Sequence, residues 1–275
     1  MKWYKNPLKV FTLGLFVFAL GAIAYNWRLP VWGLIASVSL GGGLGYFLLQ
    51  KLHSRGHQLS NIIVTLLIAL LLLNPALTFD WVSLAWTFLG GVLVVLAKLG
   101  PKYKGQIIFN PAAFGLIILS TLLLLVYGSD ALLPTFISWW GTDYFGSWPL
   151  VILIPLILYG ALKFRKLYLL FAFLGFNALW ILTTAGFEGL VYPFTSGMLY
   201  FLAGVMILEP KTSPIHKYWQ IAAALVAVIT YRYIGYIGFM DVELWAIIAV
   251  NGVHLLSRLP IVKSARKLTI KNEKS

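Results

Sequence analysis

Apolar stretches of about twenty residues recur from one end of this chain to the other, and no other feature limits its fold as strongly. A bilayer core about 30 Å thick is crossed by about 20 residues of helix, each rising about 1.5 Å. Divided at their polar punctuation, the stretches predict ten spans: about 10–26, 30–49, 61–79, 81–97, 107–127, 147–162, 167–186, 194–208, 218–234 and 242–257. The composition agrees, with 60% hydrophobic and 11% charged residues in 275 and a mean hydropathy of +0.88. The expectation is an all-α polytopic membrane protein with one transmembrane domain over residues 1–257, followed by a basic cytoplasmic tail over 258–275.

Charge gives the orientation. With a cytoplasmic N-terminus, 19 of the 21 Lys and Arg fall in inside segments and only Arg28 and Arg232 lie outside. Six of the eight acids, Asp80, Asp130, Asp143, Glu188, Asp241 and Glu243, fall outside. This is the positive-inside pattern, and it places both termini in the cytoplasm. The formal charge of +13 is then a membrane signal, and nucleic acid is not expected as a partner. The N-terminus imitates a secretory signal, with Lys2, Lys5 and Lys9 ahead of an apolar stretch and Ala22-Ile23-Ala24 after it. It is read as a retained first span, because the repeat described next requires it.

Ten spans divide as five plus five, and an odd-numbered repeat inserts its second copy inverted. Repeat one is placed at about 10–127 and repeat two at about 147–257. Span three stops at Asn74-Pro75 and span eight, beginning at Ser196-Gly197, stops at Glu209-Pro210. Each has about thirteen residues before its break, about 20 Å as helix and short for the bilayer core. Span five carries Phe109-Asn110-Pro111-Ala112 and span ten Val250-Asn251-Gly252-Val253. Asn-Pro inside an apolar run removes a backbone donor and adds an amide that lipid cannot satisfy, so it belongs against protein or a cavity. Paired interruptions in two halves point to a central site.

The chain has no cysteine, which excludes disulfides and thiolate metal sites on this chain. His53 and His57 have helical spacing but sit in a polar loop, so no metal site is expected. Neutral polar side chains dominate at depth: Thr65, Asn74, Thr87, Asn110, Asn177, Ser196 and Asn251. They suit hydrogen bonds to a neutral or delocalised ligand, or bonds between helices. Glycines at Gly41-Gly42-Gly43-Leu44-Gly45 and Gly90-Gly91 are read as sites of close helix packing.

The elements Ala97-Lys98, Gly105-Gln106-Ile107-Ile108-Phe109-Asn110-Pro111-Ala112, Ser196-Gly197-Met198-Leu199 and Glu209-Pro210-Lys211-Thr212-Ser213-Pro214, with Tyr231-Arg232 and Ala246 to Asn251 closing the series, resemble the membrane subunits of the RnfD/NqrB family. The likeness covers roughly residues 60–260 in the family's order. It implies a ten-span inverted repeat similar to urea-channel folds, in a bacterial inner membrane. It also implies a multisubunit, flavin-using electron-transport complex coupled to ion translocation, whose other subunits are the partners.

Two departures from the family pattern matter. The Ser-Gly-Ala-Thr stretch whose threonine carries FMN is absent from the segment between spans five and six, where Thr135 and Thr142 have no matching context. The usual Thr-Asp-Pro is altered to Leu208-Glu209-Pro210. Covalent FMN is therefore not expected, and a flavin, FMN or riboflavin, would be noncovalent or carried by a partner. The ligand-lining candidates are Asn110, Pro111, Ala112, Ser196, Gly197, Glu209, Pro210, Arg232 and Asn251. Arg232 has two readings, a grip on a flavin phosphate or a pair with Asp241 or Glu243. The alternative function is a channel or carrier for a small neutral solute on the same fold; a purely structural subunit is the third.

Overall fold

In a computed structural model, residues 6–52, 59–73, 80–128, 140, 148–195, 197–237 and 241–259 are described. Asn74, Pro75, Thr135, Thr142, Ser196, both histidines of the 53/57 pair and residues 260–275 of the tail all lie outside them. Among the described residues the fold is all-α apart from one pair of two-residue strands.

Helix occupies each of the ten apolar segments. The helices are α1 Pro7–Tyr25, α2 Leu29–Leu52, α3 Leu59–Leu72, α4 Trp81–Leu96, α5 Pro111–Tyr127, α6 Trp148–Lys163, α7 Leu167–Ala185, α8 Glu188–Thr195, α9 Gly197–Phe201, α10 Lys217–Tyr236 and α11 Val242–Arg258. A 3-10 turn, Ala97–Leu99, extends α4, and a π-helical turn, Leu202–Met206, extends α9. Among the described residues, four helices are long and apolar enough to cross a membrane: α1, α2, α4 with its 3-10 turn, and α7. A fifth is gained if α8 and the α9 unit, bent by 61° at their junction, form one broken span. Their outward faces agree with this, since Leu40, Phe47 and Phe171 are all more than half exposed, far more apolar surface than a water-facing monomer carries.

The structure places two boundaries differently from the sequence reading. Span five was expected from Ile107, yet Gln106–Ile107 pairs antiparallel with Lys102–Tyr103 as strands β2 and β1. Lys104 and Gly105 turn this hairpin with φ of 52° and 76°, the positive dihedrals a two-residue hairpin turn needs. Helix α5 then starts at Pro111, where a missing N–H costs nothing, with Asn110 as its cap. Segment eight begins earlier than expected, because α8 precedes the break at residue 196.

The tightest contact is α2 against α4. A Cβ on Gly91 would lie 2.5 Å from the Val38 carbonyl oxygen, and one on Gly41 would meet the Phe88 carbonyl. Ser37 and Thr87 share a 2.7 Å hydroxyl bond across the same seam. The remaining principal packings are α10 on α7 and α11, α4 on α5, α1 on α6, and α5 on α11. Gly91→Val is expected to destabilise the protein by roughly 1–3 kcal/mol through overpacking, whereas Gly43→Ala, with nothing within 4 Å of its added Cβ, stays within about 0.5 kcal/mol of wild type. Thermal unfolding of both variants in detergent checks the contrast.

Candidate functional site

The two interrupted helices of the sequence reading meet. The Asn251 Oδ1 accepts a 2.7 Å bond from the backbone N–H of Asn110, and its Nδ2 donates 2.9 Å to the Thr212 carbonyl. One carboxamide thereby joins three segments: the start of α5, the middle of α11 and the loop after Glu209-Pro210. All three residues are buried at 1% exposure. The Asn110 side chain turns the other way, its Oδ1 accepting from Ala112 N–H at 2.9 Å and Ala113 N–H at 3.1 Å. It thus satisfies two of the orphan donors of α5. Its Nδ2 has no hydrogen-bond partner among the described residues.

Beside this junction lies a cavity of about 300 Å³. Asn110, Pro111, Ala112, Glu209 and Pro210 line it together, so five of the nine candidate residues converge there. Asn251 acts from behind, by holding Asn110 and Thr212. Two candidates belong elsewhere. Gly197 packs against Trp140 and Pro149, because a small residue is needed where α9 meets α6. Arg232 gives its Nη2 to Asn177 Oδ1 at 3.1 Å. That amide lies on α7 and is itself tied to the Phe173 carbonyl.

The cavity carries charge that the sequence reading did not assign to it. Lys98 is 6% exposed and donates 2.9 Å to Thr65 Oγ1 and 3.2 Å to the Asn61 carbonyl. It had been read as an inside-loop lysine; its burial follows from the 3-10 turn that continues α4. Lys211 also lines the cavity. The Glu209 Oε2 accepts from Thr212 Oγ1 at 2.7 Å, and Glu209 presents surface to the cavity. Burial pushes the Glu209 carboxyl above the usual carboxylate range, opposed by the Thr212 bond and by Lys98, Lys211 and Lys166. Lys166, between α6 and α7, holds the same loop through the Ser213 and Pro214 carbonyls at 2.5 and 2.7 Å. Burial pulls its ammonium down to about 7, against the attraction of Glu209.

The apolar wall is formed by Phe11, Val64, Ile68, Phe164, Val205 and Leu208. One turn beyond Ile68 and Gly204, three buried rings pack together: Trp140 lies edge-on to Phe18 at 5.0 Å and tilted to Phe201 at 5.2 Å. The Trp140 Nε1 donates 2.7 Å to the Leu71 carbonyl, satisfying an orphan acceptor at the end of the short α3. The cavity lining combines hydrogen-bond donors with aromatic and aliphatic side chains. Compared with known proteins, the chain matches no family model and no curated sequence.

Truncating the carboxamide tests the junction. Asn251→Ala strands the Asn110 N–H and the Thr212 carbonyl, each at a cost of roughly 1–3 kcal/mol. The expected outcome is a clear fall in the thermal midpoint of the purified protein, larger than that of Thr121→Ala, whose exposed hydroxyl only bonds back to the Ile117 carbonyl.

Proposed function

We propose that this chain is an RnfD/NqrB-like subunit of a flavin-using electron-transport complex coupled to ion translocation, set in a bacterial inner membrane with both termini cytoplasmic. The observation that carries the reading is convergence. The Asn-Pro-Ala and Glu-Pro elements, about one hundred residues apart in the chain and central to the resemblance, line one cavity, and Asn251 ties them together.

The helix packing supports the ten-span inverted repeat that this reading requires. If α1 to α5 make one half and α6, α7, the α8/α9 unit, α10 and α11 the other, α2 on α4 corresponds to α7 on α10. In the same way α4 on α5 corresponds to α10 on α11. The pairs α1 with α6 and α5 with α11 map onto themselves. All of these contacts are present, and such a repeat puts its ligand site where the interrupted helices meet.

The residues fit a noncovalent flavin. The cavity lies at the small end of the range of about 300–1,000 Å³ for small-molecule sites. Phe11 and Phe164 offer apolar surface to a flat ring, and Lys98 offers a donor to its carbonyl edge. A bound flavin would supply one- and two-electron chemistry; the chain's own residues bind and orient it. The charged side chains Lys98, Lys211 and Glu209 in the lining weigh against the alternative of a path for a small neutral solute.

An absorbance spectrum of the protein purified with its partners, before and after acid precipitation, tests the reading. The expected result is a flavin band that passes into the acid supernatant. Absence of flavin contradicts the electron-transport reading, and flavin retained on the precipitated chain contradicts noncovalent binding.

A further inference from the structure

The polar groups of the central cavity are unequally spent. An ammonium has three N–H donors, and Lys98 commits two of them, to Asn61 and Thr65. Asn110 has both N–H groups of its Nδ2 without partners among the described residues, at 1% exposure. A buried donor left unpaired costs about 1–3 kcal/mol, but this one opens no surface to the cavity, so the lysines carry the recognition. Lys211 adds an exposed ammonium to the lining. Against these donors stands one carboxylate, Glu209, with an oxygen already engaged by Thr212. Among the described residues the lining holds two lysines against one glutamate, so ammonium groups outnumber carboxyl groups. The start of α5 does not supply the site, because the Asn110 oxygen already caps its first amides.

From this census we infer that the cavity is selective for charge: it takes a small amphipathic monoanion, or the anionic end of a larger ligand. The acceptor group lies against Lys98 and Lys211, and the flat apolar body lies against Phe11 and Phe164. The inference rests on the cavity being the ligand site, as proposed above, and not on the ligand being a flavin. A neutral polar ligand fills the volume but leaves the extra ammonium group unanswered. A cation meets two ammonium groups in a partly desolvated space, where like charges are least tolerated.

Three probes of one shape and different charge decide the matter: benzoate, benzamide and benzylammonium. Their binding to the purified full-length protein in lipid nanodiscs is measured by isothermal titration calorimetry. Benzoate is expected to bind at least tenfold more tightly than benzamide, with no binding of benzylammonium. Glu209→Gln removes the competing negative charge and is expected to tighten benzoate at least threefold, a gain that a misfolded variant cannot produce. Lys98→Met is expected to weaken benzoate at least tenfold.

Benzamide binding as tightly as benzoate overturns the inference. So does failure of all three probes to bind, or a Glu209→Gln variant whose benzoate affinity does not rise. The two readings fail separately. Acid-released flavin without a preference for benzoate removes the charge selectivity alone, and benzoate selectivity without any flavin removes the electron-transport reading alone.

Discussion

The Asn251 carboxamide, accepting from the Asn110 N–H and donating to the Thr212 carbonyl, is the interaction on which the interior depends. Each of those backbone groups belongs to a segment that has left regular helix: Asn110 precedes Pro111 at the start of α5, and Thr212 follows the break at Glu209-Pro210. In an apolar interior such groups have no water to turn to, and leaving them unpaired is among the larger costs a fold can carry. A single amide side chain, with one acceptor and two donors, satisfies both at once. Without it, the two interruptions would have to separate toward solvent or close up into helix, and the cavity between them would be lost.

The surrounding helices make that arrangement rigid. Gly41 and Gly91 bring α2 and α4 into backbone contact, and the Ser37–Thr87 bond fixes their register. Lys166 fastens the 209–214 loop from the opposite side through two carbonyls, while Trp140, Phe18 and Phe201 fill the core one turn beyond the cavity. The outward faces of the same helices carry large exposed apolar side chains, so the burial that holds the centre together depends on lipid to cover the rest. The cavity lining sets charged groups, Lys98, Glu209 and Lys211, among apolar ones.

Much of this was legible in the sequence. The ten apolar segments all contain helix, and Asn110-Pro111, Glu209-Pro210 and Asn251 stand out because proline and amides are costly in apolar runs. Gly41, Gly42, Gly45, Gly90 and Gly91 serve the close packing expected of the glycine clusters, whereas Gly43 faces open space. What could not be read was direction. Lys98 looks like any inside-loop lysine until the 3-10 turn after α4 carries it inward toward Thr65. Arg232 looks like an outer charge until α7 presents Asn177 to it. Gly197 and Asn110 are equally conspicuous in the chain, yet only the second lines the cavity, because α9 turns its first residue toward Trp140 and α6. Periodicity and composition locate elements, whereas which side chain meets which is decided by the crossing of helices far apart in sequence.

Hydrogen exchange at a single amide tests the central claim, that Asn251 binds the two interruptions together. The Asn110 backbone N–H is expected to be strongly protected in the wild-type protein, and in Asn251→Ala to exchange about 10- to 100-fold faster, the equivalent of roughly 1–3 kcal/mol of lost protection. A wild-type amide that exchanges as freely as those of an exposed loop, or a rate unchanged by the substitution, would contradict the account.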